Sequence, residues 1–366
     1  MRTNFRSHLP KTYISYLQRK SPIPYPMLLS IVIPAYHCAK ELENCLSYLL
    51  QGDYSDKDST ETCTCREPEY MREVEIIVVD DGSSDATAEV AERLIEGGHY
   101  YNLRVIRQPH KGISAARNRG LLEATGTYLW FVDADDTLQP LCLDPVTQAI
   151  RHLDSDLFKM GHLNTTNFRA HKADREATLR VDVSQLFGRE KGTLDHTTYL
   201  YRRDFLLQNG IRYPEDMSIL EDSVMVLQCL RKAKSVYYNP SFIFYCLDGH
   251  TTTRGVWNAE RRQHFIPSIV RFFSSFKSFT EEADGRLSTV SKQLYDRYLY
   301  VYLRVLLVKG CTWRELSDFR NSVQVEHSFF FNQPNLKMRA MRNKSLYHLL
   351  HLGIKYIGIP YKRLFH

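Results

Sequence analysis

Residues Glu75–Asp85 read EIIVVDDGSSD, an apolar run that stops abruptly at two aspartates. A continuous run of β-branched residues is typical of a strand that is buried on both faces of a sheet. Asp, Gly and Ser favour turns, and an acidic or hydroxyl side chain caps a following helix well. The stretch therefore predicts a strand, a turn and the beginning of a helix, which together form one step of an α/β fold.

The same alternation extends in both directions from this stretch. The pattern predicts strands at Leu29–Pro34, Glu75–Val79, Leu103–Arg107 and Tyr128–Val132. It predicts helices at Ala39–Leu50, Asp85–Ile95 and Ile113–Ala124. Apolar strands that alternate with helices favour a parallel sheet covered on both faces. The polar segment Gly52–Arg72 is longer than most connections, so we expect it to be an exposed insertion.

The second half of the chain has a less regular pattern. It predicts strands at Asp156–His162, Leu179–Val183, Ser235–Asn239 and Ile243–Cys246, and helices at Tyr199–Asn209 and Ser223–Lys232. From about Trp257 onward the spacing of apolar residues is mostly helical. We therefore expect a basic N-terminal arm over residues 1–27, an α/β domain over 28–255 and a helical region over 256–366.

Charge is distributed unevenly along the chain. In total, 48 basic and 42 acidic residues give a formal net charge of +6. The first 30 residues contain five basic residues and no acidic one, and residues 327–366 contain seven basic residues and no acidic one. The remainder is net acidic, which argues against a uniformly basic nucleic-acid-binding protein. Basic ends on an acidic body favour an anionic membrane surface as a partner.

No apolar run in the sequence reaches the roughly 20 residues that a membrane-spanning helix needs. The N-terminus lacks the apolar core of a signal peptide, and eight scattered cysteines fit a reducing compartment. We therefore expect a cytoplasmic protein that is peripheral on the inner face of the cell membrane. Apolar residues with basic neighbours in residues 331–366 fit an interfacial helix, or a helix that packs on the domain with a solvated basic face.

Carboxylates gather at the ends of the second and fourth predicted strands: Asp80, Asp81 and Asp85 at one, and Asp133, Asp135 and Asp136 at the other. Ligands of open parallel sheets bind beyond the carboxyl ends of the strands, so both groups are candidates for one site. An Asp-x-Asp pair suits Mg²⁺ or Mn²⁺, which keeps open positions for phosphate oxygens. The alternatives are a capped turn at the first group and an acidic loop at the second.

Glycine-rich phosphate-binding loops are absent from the sequence. There is no G-x-G-x-x-G after the first strand and no G-x-x-x-x-G-K-[ST] anywhere. A nucleotide diphosphate would therefore be held mainly through a metal ion. The missing basic, Gly-rich loop also argues against a nucleotidyltransferase on a similar sheet.

Four motifs, in this order, resemble those of the inverting family 2 glycosyltransferases. They are SIVIPAY at Ser30–Tyr36, EIIVVDDGSSD at Glu75–Asp85, GISAARNRG at Gly112–Gly120 and GTYLWFVDADD at Gly126–Asp136. The resemblance covers roughly residues 28–255 and implies a GT-A fold, a mostly parallel sheet flanked by helices. It implies a nucleotide-sugar half over 28–140 and an acceptor half over 141–255. The implied reaction moves a sugar from a nucleotide-diphosphate sugar to an acceptor hydroxyl with inversion, in cell-surface polysaccharide or glycolipid synthesis.

The resemblance also implies roles for individual residues. Those expected around the nucleotide sugar, with UDP favoured as the nucleotide, are Pro34, Ala35, Tyr36, Asp80, Asp81 and Ala134. Asp133 and Asp135 are the expected metal-binding pair, and Asp135 is the more direct ligand.

Asp222 is the expected catalytic base, at the beginning of a predicted helix, and Glu221 is the second choice. A simple capping role is the competing explanation, because the helix dipole favours an acidic residue in the first turn. The expected acceptor is a glycan or a lipid-linked sugar. The rival class is a non-catalytic scaffold that binds nucleotide sugars or glycans at a membrane, and the presence of both Asp135 and Asp222 argues against it.

Basic and amide side chains complete the candidate site. Arg117 and Asn118 lie on the helix after the third strand, and Lys111 precedes that helix. A guanidinium suits a diphosphate or one of the clustered carboxylates, although Arg117 could also be an ordinary surface residue. His250 and Arg254 lie in a Gly- and Thr-containing segment that could close over a phosphate or form an exposed turn.

Overall fold

We describe a computed structural model of the chain. It describes residues 27–50, 69–96, 102–136, 143–164, 177–189, 194–246, 259–283, 285–308 and 311–325, and Ser345. Two compact units result. The first contains the described residues of Met1–Asp182, Glu190–Glu215 and Gln228–Thr251, and the second contains those of Val183–Arg189, Asp216–Leu227 and Thr252–His366.

Several expectations fall outside the described residues. They concern the N-terminal arm up to residue 26, most of the Gly52–Arg72 insertion, His250 and Arg254, and the basic C-terminal segment apart from Ser345. The last residues of the insertion are described, and they belong to a 3-10 helix, η1 (Glu69–Glu73).

An eight-stranded mixed sheet forms the frame of the first unit. Its strands are β1 (Leu29–Ala35), β2 (Val74–Asp80), β3 (Leu103–Arg107), β4 (Tyr128–Phe131), β5 (Leu157–Asn164), β6 (Leu179–Val181), β7 (Tyr199–Arg202) and β8 (Val236–Cys246). Their order is β3-β2-β1-β4-β7-β5-β8-β6. β1 pairs in parallel with β2 and β4, whereas β7 is antiparallel to both of its neighbours. The expected mostly parallel sheet flanked by helices is confirmed.

Ten α-helices accompany the sheet in the described parts of the chain. They are α1 (Ala39–Leu50), α2 (Thr87–Glu96), α3 (Ile113–Glu123), α4 (Leu143–Ile150), α5 (Val183–Arg189), α6 (Arg203–Gln208), α7 (Glu221–Lys232), α8 (Ala259–Glu282), α9 (Gly285–Val308) and α10 (Trp313–Ser322). A second 3-10 helix, η2 (His196–Thr198), precedes β7.

The core of the first unit lies around the two central parallel strands. Every residue of β1 and β2 is buried, as expected for strands covered on both faces. Helix α3 approaches β1 closely at Gly120, where an added Cβ would lie 2.2 Å from Cγ1 of Val32. Only glycine permits this contact, which places the α3 side chains against the end of the sheet.

A buried carboxylate ties neighbouring strands together. Glu75 Oε1 accepts hydrogen bonds from Ser30 Oγ (2.6 Å) and from the backbone N–H of Thr125 (2.6 Å). Arg104 Nη2 lies 3.4 Å from Oε2 of the same side chain. Because these partners come from β1, β3 and the segment before β4, the network holds the strands in register.

Three sequence-based predictions are wrong in detail. The strand predicted over Leu179–Val183 ends at Val181, and Val183 begins α5. The predicted helix over Tyr199–Asn209 begins only at Arg203, because the first four residues form β7 between β4 and β5. The pairing partners decide this outcome, since the segment's own pattern does not exclude a helix. The two strands predicted over Ser235–Cys246 are one strand, β8, with an irregularity opposite Met160 and Gly161.

The second unit is helical. Aromatic side chains of α8 and α9 pack edge to face, as between Phe272 and Tyr298 and between Phe273 and Tyr295. Helix α10 begins with a capping box formed by Thr312 and Glu315. Among the described residues, no helix combines the length and apolar character needed to cross a bilayer.

Candidate functional site

The candidate site lies at the carboxyl ends of β2, β1 and β4, which are neighbours in the sheet. Pro34 and Ala35 end β1, Asp80 ends β2, and Asp133 follows β4 after one further residue. The two aspartate groups are not on adjacent strands, because β1 lies between them. The topology nevertheless brings both groups to the same edge of the sheet.

Asp81 lies at the centre of a hydrogen-bond network at the end of β2. Its Oδ1 accepts from Gln108 Nε2 (2.7 Å) and Lys111 N (2.9 Å), and its Oδ2 accepts from Gly112 N (2.8 Å). The Asp81 side chain is almost fully buried. It therefore ties β2 to the beginning of α3, and Lys111 contributes its backbone here while its side chain is exposed.

A stack of three aromatic rings lies beside this network. The Tyr36 ring, on a residue that is 44% exposed, stacks on His37 at 4.1 Å and on His110 at 4.2 Å between ring centroids. Nδ1 of His110 lies 2.8 Å from Asp81 Oδ2. Gly82 has φ +80°, and a Cβ there would lie 2.8 Å from His110 N. The imidazoles of His37 and His110 cover the two faces of the Tyr36 ring, so the surface that suits a nucleobase is the stack as a whole, whose three residues are all exposed.

Asp133, at the end of β4, is held by basic side chains. Its Oδ1 accepts from Arg117 Nη2 at 2.6 Å, and its Oδ2 lies 3.6 Å from His196 Nε2. Burial opposes ionisation of this carboxyl group, but Arg117 and His196 outweigh burial and hold its pKa well below the usual range. Asp133 therefore remains an anion. Arg117, itself buried, takes the second of the two roles expected for it, a contact with a clustered carboxylate.

The next two aspartates of this turn have contrasting environments. Asp136 is buried, and its Oδ2 accepts a hydrogen bond from Asp133 N (3.2 Å). Burial, together with the negative charges of Asp133 and Asp135, raises the pKa of Asp136 well above the usual range. Asp135 is exposed, and Ala134, between Asp133 and Asp135, is buried.

The donor atoms at this turn fit one mode of divalent-cation binding. Within the described residues, no group of three or more His, Cys, Asp or Glu side chains forms a ready metal cage. Mg²⁺ commonly takes one or two carboxylates and completes its coordination with substrate phosphates and water. The exposed Asp135 suits that role, and Asp133 is engaged by Arg117 and His196.

Sequence reasoning missed two residues that the structure places next to Asp133. Tyr213 Oη lies 2.8 Å from His196 Nδ1, and both side chains are buried. Asn118 holds Tyr213 through two 2.9 Å hydrogen bonds, one to each polar group of the Tyr213 backbone. No motif marks His196 or Tyr213, because their proximity to Asp133 depends on the pairing of β7 with β4.

The acidic pair expected to supply the base lies in the first turn of α7, in the second unit. Leu220 precedes the helix with φ 61°, a conformation rare for a branched residue, and its carbonyl accepts from Val224 N. The cap position therefore belongs to Leu220, and Asp222 lies one residue inside the helix. Burial and the Asp222 charge raise the pKa of Tyr302. Glu221 is buried.

Comparison with known proteins finds glycosyltransferases among the proteins that this chain resembles. Residues 30–209 match the model described as Glycosyl transferase family 2. The chain is 28% identical over 223 residues to an uncharacterized glycosyltransferase, EpsJ, of Bacillus subtilis, and the match covers 57% of this chain and 58% of EpsJ. It is also 28% identical over 312 residues to the cholesterol galactosyltransferase of Borreliella burgdorferi, covering 74% and 84% of the two chains.

A solved structure supports the fold assignment. Residues 1–349 of S. aureus TarS in complex with UDP-GlcNAc superpose with a TM-score of 0.63 at 19% identity. The match covers 90% of this chain and 92% of that chain. Residues 30–209 match this family model, and the strand-end motifs and the sheet that positions them agree with that match.

Proposed function

We propose that the chain transfers a sugar from a nucleotide-diphosphate sugar, with UDP as the favoured nucleotide, to an acceptor hydroxyl with inversion. The observation that carries this proposal is the arrangement at one sheet edge. There the exposed stack of Tyr36, His37 and His110 and the Asp133–Arg117 pair lie beyond the carboxyl ends of neighbouring strands. A ring surface suits the nucleobase, and a carboxylate-rich turn suits a cation-bound diphosphate.

Donor binding divides between the two sides of this edge. Tyr36 and the Asp81 network face the nucleoside in the proposal, and Asp135 holds the metal, with Asp133 kept in place by Arg117. A diphosphate beside several carboxylates requires a cation, since like charges repel at this distance. When bound, Mg²⁺ or Mn²⁺ stabilises the negative charge of the leaving diphosphate.

Asp222 is proposed as the general base, with Glu221 as the alternative. The proposal rests on the sequence resemblance; in the structure Asp222 Oδ1 also accepts a hydrogen bond from Ser223 N in the same turn (2.6 Å). The base takes the proton of the acceptor hydroxyl while the oxygen of that hydroxyl bonds to the anomeric carbon. The bond from that carbon to the diphosphate breaks on the opposite face, so one displacement inverts the configuration.

The acceptor is proposed to be a glycan or a lipid-linked sugar in cell-surface polysaccharide or glycolipid synthesis. Among the relatives, one is named for transfer of galactose to cholesterol, which is a membrane lipid. The basic ends of the sequence fit attachment to an anionic cytoplasmic membrane face. Deleting residues 337–366 is expected to weaken binding to anionic vesicles, and added salt is expected to mimic the electrostatic part of that loss.

A nucleotide-sugar panel tests the proposed function. Purified protein with Mn²⁺ is incubated with UDP-, GDP- and dTDP-sugars, and the released nucleotide is measured with and without candidate acceptors. We expect release from one donor class, lost in Asp135→Asn but retained in Asp154→Asn, a control whose side chain is 87% exposed. Donor binding without turnover for any donor would instead favour the non-catalytic scaffold.

A further inference from the structure

His196 lies in the short 3-10 helix before β7 and contacts two groups of the site. Its Nε2 is 3.6 Å from Asp133 Oδ2, and its Nδ1 is 2.8 Å from Tyr213 Oη. The residue is only 2% exposed, so its polar atoms depend on these protein partners. His196 therefore bridges the Asp133 carboxylate and a buried phenol.

The segment around His196 is held by hydrogen bonds from three side chains, those of Asp195, Tyr201 and Trp130. Asp195 Oδ1 accepts from Thr197 N (3.2 Å) and from Thr197 Oγ1 (2.7 Å). Tyr201 Oη donates to the His196 carbonyl at 3.0 Å, and Trp130 Nε1 donates to the Thr197 carbonyl at 2.7 Å. Trp130 belongs to β4 and Tyr201 to β7. The segment that carries the His196 imidazole is therefore tied to β4, the strand that precedes Asp133.

Neighbouring side chains contact both the backbone and the ring of Tyr213. Asn118 Oδ1 accepts from Tyr213 N, and Asn118 Nδ2 donates to the Tyr213 carbonyl. The guanidinium carbon of Arg117 lies 5.1 Å from the Tyr213 ring centroid, and Phe131 meets the same ring edge to face at 5.0 Å. Arg117 and Asn118 are consecutive residues of α3. Arg117 contacts Asp133 and Asn118 bonds to Tyr213, so α3 holds both ends of the chain of contacts from Asp133 to Tyr213.

We propose that His196 and Tyr213 are positioning residues for Asp133. Arg117 holds one carboxylate oxygen, and the Tyr213–His196 pair fixes the other side, so that the carboxylate keeps one orientation. The turn that carries Asp135 follows directly, and its geometry depends on this anchor. The proposal rests on the proposed function in one respect, namely that Asp133 and Asp135 serve donor binding.

Tyr213→Phe removes only the phenol oxygen and keeps the ring that Arg117 and Phe131 contact. Tyr128→Phe is the matched control, because Tyr128 is also buried in the first unit, at the opposite end of β4 from Asp133. Its Oη bonds to Leu153 O (2.8 Å) and to Ser155. Each variant loses buried hydrogen bonds, so similar losses of melting temperature are expected.

Donor kinetics separate positioning from packing. We expect Tyr213→Phe to lower kcat/KM for the nucleotide sugar about fivefold or more, the effect of one buried hydrogen bond, and Tyr128→Phe to leave it near wild type. We expect His196→Phe, which keeps a ring but no polar atom, to lower it further. Equal kinetic effects of Tyr213→Phe and Tyr128→Phe would overturn the proposal.

A double-mutant cycle gives a second test that does not require activity. Unfolding free energies are measured for Tyr213→Phe and Asp133→Asn, singly and together, and likewise for Tyr128→Phe with Asp133→Asn. Coupling is expected for Tyr213 and additivity for Tyr128, because only the former is linked to Asp133. Additivity for both pairs would refute the bridge. A wild-type protein that releases no nucleotide from any donor would instead refute the proposed function, and the cycle would still report the bridge.

Discussion

The two aspartate groups at the sheet edge have similar sequences but different partners. At the end of β2, Asp81 is satisfied by two backbone N–H groups of the segment before α3 and by the side chains of Gln108 and His110. At the end of β4, Asp133 is satisfied by the side chains of Arg117 and His196, and the next carboxylates remain exposed or poorly ionised. The first group organises a loop, whereas the second concentrates negative charge around the buried Arg117 guanidinium.

This difference indicates a division of roles that composition does not reveal. Backbone amides hold a carboxylate in one place, and a carboxylate committed to them has little capacity for a ligand. Arg117 and His196 hold Asp133 as an anion, and Asp135 beside it is exposed to solvent, where a cation can bind. We therefore expect changes in the β4 group to affect transfer first, and changes in the β2 group to affect stability first.

Asp135→Asn should give the largest effect on transfer. The neutral amide is a weaker ligand of Mg²⁺ or Mn²⁺ than the carboxylate, so the leaving diphosphate would lose most of its charge stabilisation. We expect transfer to fall by about a thousandfold, with little change in melting temperature because the side chain is exposed. Steady-state transfer over a Mn²⁺ titration measures this. Full wild-type activity in excess chelator would exclude the metal-bridged mechanism.

Asp222→Asn tests an acidic residue that belongs to neither strand-end group. Asn keeps the size of the side chain but cannot accept the acceptor's proton, so transfer should fall by at least about a hundredfold. Binding of nucleotide sugar, measured by calorimetry, should remain near wild type. A variant that transfers normally would move the base to Glu221, and one that loses donor binding would place Asp222 in the nucleotide site.

The regular first half of the chain could be predicted closely from sequence. The bounds of α1 and β3 agree with the apolar spacing, because strands and helices buried on known faces carry a strong periodic pattern. The strand-end aspartates could be placed at one edge for the same reason, since parallel strands bring their carboxyl ends together. Sequence reasoning needed only local patterns there.

The rest depended on contacts between distant segments. Tyr199–Arg202 is a strand because β4 and β5 flank it, and a single sequence does not specify those partners. For the same reason neither His196 nor Tyr213 could be assigned to the site. Burial of Asp136 also escaped prediction, because consecutive aspartates in a turn differ in environment only through the packing around them.

Asp81→Asn should reduce stability more than it changes transfer. One oxygen becomes an NH₂ group that faces the N–H donors of Lys111 or Gly112, so at least one buried hydrogen bond is lost. We expect a loss of about 1–3 kcal/mol in the free energy of unfolding, measured by denaturant titration. Asp85→Asn in the same turn is the control, because Asp85 is exposed and Asn caps a helix about as well. An unchanged stability with lost donor binding would make Asp81 a direct ligand.

Asp136→Asn should give the smallest effect, and one of opposite sign. The unfolded carboxyl ionises near pH 3.9, whereas the folded one keeps its proton to higher pH. The folded state therefore binds more protons above about pH 4, and wild-type stability falls as pH rises through that window. The depressed pKa of Asp133 changes stability only below about pH 4, where stability is lost as pH falls through the folded pKa of Asp133. The pH range in which Asp136 changes stability therefore does not overlap with that of Asp133.

The Asn side chain at position 136 cannot ionise, but it can still accept the hydrogen bond from Asp133 N. We expect the variant to melt like wild type near pH 4 and a few degrees higher at pH 7.5 in chelator, a gain on the order of 1 kcal/mol. A variant that melts lower at pH 7.5 would mean that Asp136 is ionised in the folded protein and is stabilised there by a positive charge.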